Sequence, residues 1–310
     1  MSVLNMNTIK ALLEEKQYTQ VHTPLILNYT QAIPFMTTAT QQSQVKLQGP
    51  SGEMLTLRGD STIALVIGDV MKSLDQLDPE STVRVFYDEA NFSHDFEKRV
   101  ISEVRQVGVE VIEKSSIGGT PSIGPNPSIG QAQPNAFSEA FNLAIDIAQK
   151  LCGSDIRIEV SHATGLKTVI SNLVNGDEKK QDALMYYLNR KNSREAVKIL
   201  NDTDLGASAK QVVERLLTLP CELDAYIAEV APYEAFEPIN QWLLNVRTTT
   251  EALNFDPSLI VDKPYYTGET FVIYDTKRHM TLITGGTYRF DTYGISGCGF
   301  SIREGGTVTV

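Results

Sequence analysis

Cysteine is scarce in this sequence: Cys152, Cys221 and Cys298 are the only three in 310 residues, far apart and without paired spacing. This argues against a disulfide framework or a cysteine-based zinc site and fits a reducing cytoplasm. Histidine is equally thin and scattered, with His22, His94, His162 and His279 and no H-E-x-x-H, so no metal centre is expected. Basic residues are outnumbered, 27 Lys and Arg against 38 Asp and Glu for a net charge of -11. The chain as a whole therefore has no electrostatic attraction for nucleic acid or an anionic membrane. No apolar run approaches the roughly 20 residues of a membrane helix. Met1 to Glu15 lacks the charged-then-apolar layout of a signal peptide. A soluble cytoplasmic protein is the expectation.

What is present suits a folded domain: 42% of the residues are hydrophobic, enough for one large core or two modest ones. Residues 8 to 16 read as a short amphipathic helix, and Pro24 keeps Val21 to Leu27 extended. Met54 to Arg58 alternates like a strand. Asp60 and Ser61 are helix-capping types ahead of Thr62 to Leu74, where Ile63, Val66, Ile67, Val70 and Met71 recur at helical spacing. Val83 to Tyr87 predicts a strand. In Val104 to Ile112, Val107, Val109 and Val111 share one face while Gln106, Gly108 and Glu110 share the other. That polar face is either a ligand surface, with Gly108 leaving a gap for close approach, or an ordinary half-exposed strand.

Residues 118 to 134, rich in Gly, Pro and Ser, read as a surface loop. Residues 137 to 151 carry an apolar helical stripe, and Arg157 to Ser161 alternates as a strand. From Gly165 to Leu253 the pattern is almost wholly helical. Strands return at Thr270 to Tyr274 and Met280 to Thr284, separated by a polar turn, and again at Gly299 to Ile302. Strands broken by a helical block predict an α+β fold with an antiparallel sheet.

Four segments, in order, resemble the histidyl-tRNA synthetase family. They are L-R-G-D-S-T at Leu57 to Thr62, Q-V-G-V-E at Gln106 to Glu110, Y-Y-T-G at Tyr265 to Gly268 followed by Phe271, and G-G-T-Y at Gly285 to Tyr288. Val21 to Pro24 is similar to the dimer-forming first motif of class II synthetases, and Gly297 to Ser301 to the opening of the third. The resemblance implies one class II synthetase-like domain over residues 1 to 310, an antiparallel sheet flanked by helices with a helical insertion at about 165 to 253 and no anticodon-binding domain. It also implies a histidine pocket formed by Asp60, Gln106, Glu110, Tyr265, Tyr266 and Tyr288. Carboxylates suit an α-ammonium, and tyrosines suit an imidazole. Read without the resemblance, the same tyrosines are core strand residues and the acids surface charges.

Three family arginines are missing. Ser93 follows Phe92 where the second-motif arginine belongs, Val261 stands four residues before Tyr265, and the third-motif position falls near Gly306. Activating a carboxylate on ATP brings two anions together and needs fixed positive charge, so no catalytic residue, cofactor or metal is implied. In addition, Gly59 replaces the usual Pro and Thr287 the usual Arg. A synthetase-like chain that keeps the amino-acid pocket resembles the regulatory-subunit family of ATP phosphoribosyltransferase. That family implies a short-form catalytic subunit as partner, self-association as a dimer, L-histidine as effector, and no nucleic-acid or membrane partner. A degenerate synthetase paralogue with another role is the competing reading.

Overall fold

The computed structural model describes residues 6–68, 82–96, 99–114, 136–190, 192–201, 221–230, 253–256, 259, 263–303 and 308–309. The segment 118–134, the later part of the expected helix 62–74, and positions 261 and 306 lie outside them. In chain order the elements are α1 (Met6–Glu15), β1 (Thr19–Gln20), β2 (Ile26–Asn28), α2 (Tyr29–Ala32), α3 (Thr38–Gln42), β3 (Lys46–Gln48), β4 (Met54–Leu57), α4 (Ser61–Ile67), β5 (Thr82–Asp95), β6 (Val100–Lys114) and α5 (Ala136–Cys152). There follow β7 (Ile156–His162), α6 (Ala163–Leu173), α7 (Glu178–Asn189), α8 (Ser193–Asn201), β8 (Cys221–Glu222), α9 (Leu223–Val230), β9 (Leu253–Phe255), β10 (Tyr266–Asp275), β11 (Met280–Phe290), β12 (Ile295–Arg303) and β13 (Val308–Thr309).

The chain divides into two compact units. The first is Met1–Leu151 with Asp262–Tyr265 and Leu282–Val310, the second Cys152–Val261 with Tyr266–Thr281. In the first, the strand order is β1-β5-β6-β12-β11, with β13 also on β6. Among its described strands only β1 runs parallel to its neighbour. A small sheet, β2-β4-β3, stands beside it. The valines expected on one face of β6 are fully buried, together with Phe86, Phe300 and Ile302. On that face α1 reaches the sheet through the Lys10–Asp88 ion pair, and α5 through Arg84 and Glu139.

Strands β5 and β6 run well beyond the expected Val83–Tyr87 and Val104–Ile112, because two long antiparallel partners satisfy each other's backbone whatever side chains they carry. Their ladder is continuous from Thr82↔Glu113 to Asp95↔Val100. The second unit orders its strands β10-β7-β9-β8 and adds α6 to α9. Its core includes Ile158, Val160, Val169, Ile170, Phe255, Phe271 and Ile273. The block expected to be almost wholly helical from 165 to 253 contains β8 and ends at β9, which pairs parallel with β7. Strands of two and three residues are too short to show a period. Among the described residues no helix is long and apolar enough to cross a membrane.

Candidate functional site

The polar face of β6 sits in the middle of the first unit's sheet. In antiparallel register, Glu110 lies between Val85 and Gly299, Gly108 between Tyr87 and Ser301, and Gln106 between Glu89 and Arg303. Tyr288 on β11 stands opposite Gly297. Residues paired across a ladder project to the same side, so Tyr87, Glu89, Gln106, Glu110 and Tyr288 form one surface. Glycine is required where these side chains lie flat. A Cβ on Gly299 would fall 1.8 Å from Glu110 Oε2, and one on Gly108 2.0 Å from the Tyr87 ring. The gap expected at Gly108 is therefore filled by Tyr87, which neighbouring β5 delivers to that point.

Glu110 is 1% exposed. Its Oε1 accepts from the Thr62 hydroxyl at 2.8 Å and the Tyr87 hydroxyl at 3.1 Å. Among the described residues, its Oε2 and the hydroxyl of the equally buried Tyr288 have no partner other than each other. Burial without a cation pushes the Glu110 carboxyl up to about 7, against the pull of those hydrogen bonds. Burial, and then the Glu110 charge, raise the Tyr87 and Tyr288 phenols well above their ordinary value.

Asp60 caps α4, its Oδ1 accepting from the Ile63 amide at 3.1 Å, as the capping sequence predicts. Its Oδ2 accepts from the Tyr265 hydroxyl at 2.6 Å and pairs with the Lys263 ammonium. Burial would raise this carboxyl, but Lys263 and the hydrogen bonds outweigh it and hold it below the usual range. Tyr265 stacks on Phe290 at 4.9 Å and meets Tyr288 edge-on at 6.4 Å, which gives the site an aromatic wall.

Five of the six expected residues thus belong to the first unit. Asp60, Tyr265, Tyr288 and Glu110 come together, and Gln106 lies further along the same face. Tyr266 opens β10 in the second unit, half-buried. Sequence reasoning missed Thr62, Tyr87 and Lys263. It also missed the brace under the site, where Arg58 donates to the Ala90 carbonyl at 2.9 and 3.1 Å and to the Thr23 carbonyl at 2.8 Å, and pairs with Glu89 at 3.0 Å. Thr62 and Arg58 stand inside the L-R-G-D-S-T segment, which was the available signal.

Of the arginines that remain in sequence, most face away from the site. On β5 the site face carries Val85, Tyr87, Glu89, Asn91 and Ser93, with no basic residue. Arg84, Arg105 and Arg289 project from the opposite face and are held by Glu139, Asp88 and Asp291. Arg99 sits in the β5–β6 turn with φ 56°, and Arg303 is exposed beside Gln106. Among the described residues no three His, Cys, Asp or Glu side chains group to hold a metal ion.

Comparison with known proteins places this geometry. The chain is similar to the ATP phosphoribosyltransferase regulatory subunit of Oceanobacillus iheyensis, 24% identical over 283 residues, covering 87% of this chain and 63% of the relative. It thus spans less than two thirds of that relative's length. The fold is similar to a crystal structure from Bacillus halodurans described as an ATP phosphoribosyltransferase regulatory subunit/histidyl-tRNA synthetase, with TM-score 0.73, 21% identity, and 96% and 76% of the two chains covered. It is also similar to a chain of the HisG:HisZ complex of ATP phosphoribosyl transferase from Thermotoga maritima, with TM-score 0.63, 15% identity and 98% of each chain covered. The α+β, class II synthetase-like core is therefore established. The family model described as histidyl-tRNA synthetase matches residues 128–304, more than half of the sequence, and the chain belongs to that family.

Proposed function

We propose that this protein is a non-catalytic regulatory subunit of ATP phosphoribosyltransferase, which binds a short-form catalytic subunit and confers sensitivity to L-histidine in the first step of histidine biosynthesis. The observation that carries the reading is the site face itself. Two buried carboxylates, Asp60 and Glu110, stand with Tyr265 and Tyr288, while the adjoining strand β5 offers no arginine to an ATP phosphate. Such a surface suits an amino acid and not its activation. The names of the similar proteins support the same reading, and the -11 charge offers little to tRNA. L-Histidine is the effector, held on the first unit by Asp60, Gln106, Glu110, Tyr265 and Tyr288. Regulation is then a coupling free energy between this pocket and the partner's active site. Self-association is supported by the small sheet, where Ile26 and Leu47 are 50% and 37% exposed and share a face with Leu55 and Leu57.

The test is phosphoribosyl-ATP formation by a short-form catalytic subunit of the same organism, with and without this protein, across a histidine titration. Stimulation that histidine reverses is expected. No effect on rate or inhibition with both proteins folded, or robust exchange between pyrophosphate and ATP by this chain alone, overturns the proposal in favour of a degenerate synthetase paralogue.

A further inference from the structure

Lys263 makes the one contact in the site that a ligand-binding role for Asp60 does not call for. Its ammonium pairs with Asp60 Oδ2 from 203 positions away in sequence and lies 5.6 Å over the Tyr265 ring. Asp60 is 5% exposed, and the Lys263 side chain 36%. With the Ile63 amide and the Tyr265 hydroxyl also bound, three of the roughly four acceptor positions of the carboxylate are taken. This carboxylate is one of the two that suit an incoming α-ammonium, so at Asp60 the protein already supplies the cation that the ligand would bring. A second ammonium there would meet a neutralised acid and a like charge in a site with little water to screen it.

We infer that Lys263 is a specificity-determining residue, a tethered competitor that occupies the amino-group subsite on Asp60 and must swing out before a free amino acid can fill it. The inference rests on the histidine reading of the same site. The half-exposed four-carbon stem gives Lys263 a way out, since a lysine can withdraw its head to water while its methylenes stay on apolar surface. The neighbouring groups fix the contrast. Among the described residues Glu110 and Tyr288 meet only hydroxyls and each other, with no built-in cation, so of the two acids Asp60 is filled while Glu110 is open. The wild-type protein therefore gains less from a ligand's amino group than its two acids allow, and it binds L-histidine correspondingly more weakly.

The test is calorimetric titration of the full-length protein with L-histidine and with imidazolepropionate, which lacks the amino group, in the wild type, Lys263→Met and Lys263→Arg. In Lys263→Met the Kd for L-histidine should fall about tenfold, about 1.4 kcal/mol, with that for imidazolepropionate unchanged. Lys263→Arg should behave as wild type. The wild type itself should prefer histidine over imidazolepropionate by less than about tenfold, a measurement that needs no variant. Unchanged or weaker histidine binding by folded Lys263→Met, or a preference of a hundredfold or more in the wild type, overturns the inference and leaves the histidine reading standing. If neither ligand binds any of the three proteins, the histidine reading fails and the inference with it.

Discussion

Both units place a buried glutamate of a central strand beside a tyrosine, and the two carboxylates are treated differently. In the second unit, Glu159 on β7 pairs with Arg157 two residues along the same strand, and the Tyr274 phenol, pushed up by burial and then by the Glu159 charge, stands across from Arg157. These groups, with Asp256, Asp275 and His279, line an open cleft of about 510 Å³. In the first unit, Glu110 meets only neutral hydroxyls among the described residues, and its carboxyl is pushed up to about 7. A buried acid with its own cation is complete as it stands, whereas one without is unfinished until something enters. The comparison supports placing the proposed ligand on the first unit rather than in this cleft of the second.

The sharpest way to break this comparison is to remove the cation that does complete an acid in the first unit. Arg58→Ala leaves Glu89, 9% exposed, with its Thr23 contacts but no charge partner at 3.0 Å. A cost of about 3 to 5 kcal/mol is expected by urea denaturation. A loss below about 1 kcal/mol would mean that Glu89 is not held by charge at all.

Glu110 supplies the second prediction through its proton. Its folded value of about 7 lies above the ordinary 4.5. The folded state therefore holds a proton that the unfolded chain releases, and stability falls as pH rises from about 4.5 through 7. The shift corresponds to about 3 kcal/mol at most. Glu110→Gln should flatten this slope and gain stability at pH 8 while weakening the histidine response and leaving assembly intact. An unchanged slope of unfolding free energy against pH between 5 and 8 would show that the carboxyl is satisfied in a way the geometry does not indicate.

How much of this was legible beforehand depends on distance along the chain. The alternation of Gln106, Gly108 and Glu110 against three valines gave the two faces of β6, and Asp60 was recognisable as a cap because both signals live within a few residues. Resemblance, not periodicity, brought Asp60, Glu110, Tyr265 and Tyr288 together. The occupation of the Gly108 gap by Tyr87 depends on the register of β5 against β6, which no local pattern encodes. The Lys263–Asp60 pair spans 203 positions and was invisible for the same reason. Tyr266, adjacent to Tyr265 in sequence, belongs to the other unit, a division that motif spelling does not record.

Smaller effects sharpen the contrast. Gly299→Ala puts a methyl 1.8 Å from Glu110 Oε2, so the carboxylate must rotate away. A stability loss of about 1 to 3 kcal/mol is expected, with histidine binding lost by calorimetry and the hetero-oligomer retained by size-exclusion chromatography. Wild-type binding in that variant would place the ligand elsewhere than on Glu110.

The smallest effect belongs to the second unit and is the control for the rest. Arg157 is 44% exposed on its side chain, so its ion pair is partly screened. Glu159 keeps the Tyr274 hydroxyl as a partner when Arg157 is gone. Arg157→Gln should therefore cost no more than about 1 kcal/mol and leave the affinity for L-histidine unchanged. The same titration that reads Glu110→Gln decides the matter. If Arg157→Gln weakened histidine binding as much as Glu110→Gln does, the completed acid of the second unit would be part of the ligand's surroundings, and the rule that separates the two carboxylates would not hold in this protein.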